Sequence, residues 1–199
     1  LVTLVFPCAP AAAGLVSWWR GEGIAHDAIG GNDGILAGQA SYGPGKVGQG
    51  FVFGGNTEGV LLGNPASLRL QNFTIEAWIR RASTAYVSSR PGVDGLFFGF
   101  GGGGYGLGLD RESGRPFLSR IGVSAVIANT RISDTNFHHL AVTKSGGDVV
   151  FYVDGVAHAV PEYAPVFTFA TSAVIGASGA NFDAAFNGSV DELAIYSRA

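Results

Sequence analysis

A dozen short apolar runs, none holding a 3.6-residue period for the length of a helix, are separated along this chain by clusters of Gly, Asn, Asp and Pro. They are LVSWW at 15–19, FVF at 51–53, VLL at 60–62, FTIEAWI at 73–79, GLFFGF at 95–100, YGLGL at 105–109, FLSRIGVSAVI at 117–127, FHHLAVT at 137–143, VVFYV at 149–153, VAHAV at 156–160, AVIG at 173–176 and VDELAIY at 190–196. Short runs punctuated in this way describe strands, and a dozen of them describe a sandwich or barrel. Composition agrees. Gly accounts for 32 of 199 residues, whereas Glu, Lys, Gln and Met, all strong helix formers, contribute only 6, 2, 3 and 0. A helical protein is excluded on those grounds.

Hydrophobic residues make up 47% and charged residues 14% of the chain, enough to build a substantial core and too apolar for disorder. The length suits one β-sandwich domain. The formal charge is -3, and the basic residues are scattered, with Arg80-Arg81 the one adjacent pair, so no stripe exists to neutralise phosphates; nucleic acid is not an expected partner. No apolar run approaches the roughly 20 residues of a spanning helix, so no membrane span is expected.

Residues 1–13, LVTLVFPCAPAAA, form an N-terminal apolar arm ahead of a domain at 14–199. The segment Leu1, Val2, Leu4, Val5, Phe6 has the length and composition of a strand buried on both faces, and nothing within the arm can cover it. Strand donation to a neighbouring subunit, giving a homopolymer or filament, is one expectation for it; folding back on its own sandwich and a signal remnant are others. Cys8 is the only cysteine, so it is either a free thiol or an interchain link.

One hairpin can be drawn residue by residue. Asp154-Gly155 is a two-residue turn signal that sets Val153 opposite Val156, Tyr152 opposite Ala157 and Phe151 opposite His158. Both faces of the hairpin are largely apolar, which predicts a central position in a sheet and a packed, hydrogen-bonded core role for His158. In FTIEAWI, alternation puts Phe73, Ile75, Ala77 and Ile79 in the core and Thr74, Glu76, Trp78 and Arg80 outside. The same rule puts His139 on the face opposite to Leu140 and Val142, where it can join Trp78. Of adjacent Trp18 and Trp19, one must point inward and the other outward.

Taken in order, GLVSWWRGEG at 14–23, DAIGGNDG at 27–34, GKVGQGFVFGG at 45–55, FTIEAWI, FHHLAVT with VVFYVDGV at 149–156, and FNGSVDELAIYSRA at 186–199 resemble the laminin G-like, concanavalin A-like jelly-roll modules of secreted proteins. The match runs from about Gly14 to Ala199; Phe137 stands where such modules usually have Trp, and GFGGGGYGLGLD at 99–110 is unusually Gly-rich. The resemblance implies a two-sheet antiparallel β-sandwich with the first and last strands adjacent, and a secreted or cell-surface setting.

Concanavalin A-like folds also host glycoside hydrolases, whose carboxylates commonly sit on one strand in an E-x-D-x-x-E pattern. That pattern is missing here. Asp191-Glu192 should point to opposite sheet faces, and Asp110 with Glu112 lies in a Gly-flanked turn, so no enzyme activity is expected. Calcium needs several oxygen ligands, and the loop after LVSWW offers Glu22, Asp27, Asn32 and Asp33. The resemblance to calcium-bearing members brings Asp191 close to that loop, making Glu22, Asp27 and Asp191 the candidate Ca²⁺ ligands. The other reading makes Asp27, Asn32 and Asp33 turn residues and Asp191 a loop anchor. For a saccharide, whose C–H faces stack on aromatic rings and whose hydroxyls seek carboxylates and imidazoles, the candidates are Trp78, Glu76 and His139; a loop covering that face is the competing reading. The expected function is non-catalytic extracellular recognition or adhesion, with a glycan as the leading ligand and an extracellular protein as the other partner class.

Overall fold

The computed structural model describes residues 14–199. The arm residues Leu1, Val2, Leu4, Val5, Phe6 and Cys8, assigned above to oligomerisation, lie outside them. Among the described residues, fifteen strands follow in chain order. They are β1 (Leu15–Trp19), β2 (Ile35–Ala37), β3 (Ser41–Pro44), β4 (Gln49–Gly54), β5 (Gly59–Gly63), β6 (Phe73–Arg81), β7 (Gly95–Gly99), β8 (Tyr105–Leu109), β9 (Pro116–Arg120), β10 (Ser124–Ile127), β11 (Phe137–Ser145), β12 (Asp148–Val153), β13 (Val156–Ala159), β14 (Ala173–Ile175) and β15 (Asn187–Tyr196). A 3₁₀ turn at Ala66–Leu68 is the only helical element among the described residues.

The strands form two antiparallel sheets. The larger runs β13-β12-β11-β6-β15-β4-β3 with β1 also on β15, and the smaller runs β10-β9-β8-β7-β14-β5-β2. Alternation in β6 is realised residue by residue: Phe73, Ile75, Ala77 and Ile79 are buried between the sheets, while Thr74, Glu76, Trp78 and Arg80 are half-buried on the outer face. Against this inner face pack Trp19, Phe51, Phe53, Phe98 and Tyr105. Each such side chain contributes about 1.5–3 kcal/mol on burial. Tyr105 is fully buried, and its hydroxyl donates to Leu68 O at 2.6 Å, which satisfies the one polar atom it carries inward.

Three expectations need correction. The 117–127 run is two strands, β9 and β10, broken by the turn at residues 121–123. The hairpin register is as drawn, with Phe151 opposite His158, yet β13 is an edge strand and Val156 is 59% exposed. Its apolar residues mark an edge that the short strand tolerates, and His158 is half-buried there rather than a core residue. The glycines of YGLGL are required by packing: a Cβ at Gly106 would strike the side chains of Ile121 and Leu96, which fill that space.

The last strand organises the larger sheet. Residues 187–190 of β15 pair with β4, whereas its C-terminal part pairs with β1, so two strands share one edge end to end. At their junction β15 carries a bulge: Asp191 pairs with Trp78 and Ala194 with Glu76, with one residue too many between them. Glu192 absorbs it in the left-handed region, at φ 52°.

Candidate functional site

The bulge redirects the acidic pair. Asp191 and Glu192 do not point to opposite faces. Asp191 sits beside Trp78 in register on the outer side, and Glu192 lines the cavity that opens there. This cavity, of about 560 Å³, is bounded by Leu15, Trp18 and Arg20 of the first strand region, Glu76 and Trp78 of β6, His139 of β11, Glu192, Ala194 and Tyr196 of β15, and Val47. The three candidate saccharide contacts, Trp78, Glu76 and His139, are therefore brought together. The rings of Trp78 and His139 meet edge to face at a centroid distance of 5.2 Å.

The two carboxylates of the cavity are held by hydrogen bonds. Tyr196 OH donates to Glu76 Oε1 at 2.8 Å, and His139 Nε2 lies 3.4 Å from Glu76 Oε2. The bond from His139 is the chief reason that the Glu76 carboxyl is held below its usual range, with Tyr196 adding to it against the effect of burial. Trp18 Nε1 donates to Glu192 Oε2 at 2.6 Å. Burial nevertheless pushes the Glu192 carboxyl up, helped by the neighbouring charge of Asp191. One cavity thus holds two carboxylates with opposite tendencies and two indoles.

Arg20 lies over Trp18 at 5.2 Å and Lys46 over Trp78 at 4.6 Å from the ring centroids. Lys46 is exposed, where such a contact is worth about 0.5–1 kcal/mol, so a ligand displaces it cheaply. It belongs to the turn Gly45–Gly48, which Asp191 holds: Lys46 N and Val47 N donate to Asp191 Oδ2 at 2.7 and 2.9 Å. The turn needs its glycines. A Cβ at Gly45 would come within 2.6 Å of Asp191 Oδ2, and Gly48 has φ 51° with Glu22 against it. Asp191 is inaccessible to solvent, and its Oδ1 has no hydrogen-bond partner.

The calcium candidates do not converge. Asp27 accepts from Trp18 N (2.9 Å), Ile29 N (3.0 Å) and Asn32 N (3.0 Å), and Asp33 accepts from Asp27 N, so these residues fasten the 27–33 turn to β1. Burial acts to raise the Asp27 carboxyl, but the amides of Trp18, Gly30 and Ile29 outweigh it and hold it low. Glu22 instead accepts from Gln49 N at 3.1 Å. Among the described residues no group of three or more His, Cys, Asp and Glu is placed to hold a metal ion. Asp27, Glu22 and Asp191 are each engaged with backbone amides of different turns.

Sequence reasoning left Trp18, Glu192, Tyr196, Arg20 and Val47 out of the site. Trp18 was within reach, since Trp19 is buried and its neighbour must then face outward. Tyr196 follows once β1 and β6 are aligned on β15. Glu192 carries no such signal, because a glutamate gives no warning of a left-handed bulge.

Residues 53–199, well over half of the chain, match the family model described as the concanavalin A-like lectin/glucanases superfamily. The chain belongs to this superfamily. Comparison with curated protein sequences returns no match. Among solved structures, the superfamily fold is shared with domain 4 of an extracellular arabinanase from Geobacillus stearothermophilus, in complex with arabinotriose, at 21% identity and TM-score 0.73 over 92% of each chain. It is shared with the binding domain of Paraclostridial mosquitocidal protein 1, at 16% identity and TM-score 0.66 over 94% of this chain and 49% of that one. A Trypanosoma rangeli sialidase in complex with sialic acid matches at 20% identity and TM-score 0.65, over 100% of this chain but 33% of the sialidase. At such identities these likenesses establish architecture and leave the chemistry to the site itself.

Proposed function

We propose that this domain is a non-catalytic carbohydrate-binding module of an extracellular protein, and that the outer-face cavity of the larger sheet takes the glycan. The observation that carries this reading is the pairing of two indoles, Trp18 and Trp78, with two immobilised carboxylates, Glu76 and Glu192, around a cavity floored by Ala194. Aromatic rings present faces for the C–H surfaces of a sugar, and the carboxylates accept from its hydroxyls. Glu76 and Glu192 are offset by Arg20 and Lys46 around the cavity, so the charges roughly cancel and a neutral saccharide is the ligand class taken. The arabinotriose complex of a domain with the same fold supports a saccharide ligand.

Intrinsic tryptophan fluorescence during titration with neutral oligosaccharides tests the proposal. Saturable quenching is expected, reduced at least tenfold in affinity by Trp78→Ala with the melting temperature preserved. Affinity that is unchanged in Trp78→Ala and in Glu76→Gln places any binding elsewhere and overturns the assignment.

A further inference from the structure

The cavity is one end of a longer series. Along the outer face, a single cross-strand row reads Trp18 on β1, Ala194 on β15, Glu76 on β6, Ala141 on β11, Tyr152 on β12 and Ala157 on β13. Large and small residues alternate strand by strand. Ala194, between Trp18 and Glu76, is the floor of the cavity already described. Ala141, between Glu76 and Tyr152, repeats that arrangement two strands further on, or about 10 Å away at the usual strand spacing.

The second bay has walls of its own. Tyr152 is half-buried and points outward, since Phe151 on one side of it is fully buried. His139 stands in the neighbouring row on one side and Thr143 in the row on the other, both half-buried on β11. His139 and Glu76 border both bays, and the His139 main-chain N–H is held by Asp154 Oδ1 at 2.9 Å. An aromatic ring, an imidazole, a hydroxyl and a shared carboxylate thus surround an alanine floor, matching the chemistry of the first bay.

We infer that Ala141, Tyr152, His139 and Thr143 form a second saccharide subsite, so that the module binds a neutral oligosaccharide chain lying across the strands. This rests on the glycan-binding reading of the first cavity. Continuity with that cavity and the matching polar set favour the next residues of the same chain as occupant.

The test uses calorimetric titration of the protein with neutral oligosaccharides of two and of six residues from the arabinan, xylan and β-glucan series. The six-residue chain is expected to bind at least tenfold more tightly than the two-residue one. Tyr152→Ala should remove about tenfold of affinity for the longer ligand and leave the shorter unchanged, while Tyr152→Phe retains the gain. Equal affinity of wild type and Tyr152→Ala for the six-residue chain, with Trp78→Ala still weakening binding at least tenfold, overturns the second subsite and leaves the first standing. Failure of every oligosaccharide to bind the wild-type protein overturns both.

Discussion

The indole N–H of Trp18 on the first strand donates to the carboxylate of Glu192 on the last, at 2.6 Å across 174 residues of sequence. The contact exists only because Glu192 sits in a bulge at φ 52°, a conformation that costs a non-glycine residue roughly 1–2 kcal/mol. Strain of this kind is retained where the side chain it aims has a use.

Glu192→Gly separates that use from the fold. Glycine relieves the left-handed strain while the loss of the Trp18 acceptor costs a similar amount. The expected outcome is a melting temperature within a few degrees of wild type and at least a tenfold loss of saccharide affinity. Equal affinity in the variant would show that the aimed carboxylate has no part in binding.

Asp191 anchors the Gly45–Gly48 turn while its second oxygen is buried without a partner. Burial pushes its carboxyl up, against the lowering effect of the Val47 and Lys46 amides. A folded pKa above the unfolded value means that its contribution to stability is largest at low pH and is lost as pH rises through the folded pKa. Asp191→Asn keeps an acceptor for both amides without the charge and should be at least as stable as wild type at pH 7. Asp191→Ala orphans both donors and should cost about 1–3 kcal/mol. Thermal unfolding of the two variants decides it, and an Asn variant as damaged as the Ala variant would contradict the argument. Chelation of divalent ions should leave all three melting temperatures unchanged.

His138 lies between two carboxylates, with Nδ1 at 2.7 Å from Asp154 Oδ2 and Nε2 at 3.1 Å from Asp134 Oδ1. Burial works to lower its pKa, but the hydrogen bonds to Asp154 and Asp134 prevail and raise it. The stabilisation is therefore complete below the unfolded value of about 6.5 and fades as pH rises through the folded value. Both carboxylates are exposed, which limits the effect to under about 1 kcal/mol. Melting temperatures measured from pH 5.5 to 8.5 should fall more for wild type than for His138→Gln; parallel curves would exclude the imidazolium.

Much of this was legible in the sequence, for reasons that lie with the residues themselves. FTIEAWI alternates without interruption, so its two faces, and with them Glu76 and Trp78, were assigned correctly, and the same rule brought His139 to Trp78. The short strands β2 and β3 were not found, because ILA and SYGP are too brief and too mixed to alternate visibly. The three calcium candidates were not gathered into one group, because aspartates in Gly-rich turns bind backbone amides as readily as metal, as Asp27 does. The second carboxylate of the cavity needed three-dimensional information, since the bulge moves Glu192 off the period-2 rule on which the expectation was built.

That second carboxylate makes the absence of catalysis a demanding prediction. Glu192, pushed up by burial, and Glu76, held low chiefly by His139, have the opposed tendencies of a general acid and its partner. Their hydrogen bonds, however, draw them to opposite walls: Glu192 to Trp18 on β1, and Glu76 to Tyr196 and His139, with Ala194 opposite Glu76 in register between β6 and β1. A retaining glycosidase needs its carboxyls about 5–5.5 Å apart on either side of one bond, and an inverting one needs a free base to activate water. Both oxygens of Glu76 already have partners, Tyr196 OH and His139 Nε2, so neither takes a proton from water without giving one of them up. Prolonged incubation with arabinan, xylan and β-glucan at pH 5–7 should release no reducing sugar. Release that is lost in both Glu76→Gln and Glu192→Gln would establish a glycosidase in this cavity and replace the binding module proposed for it.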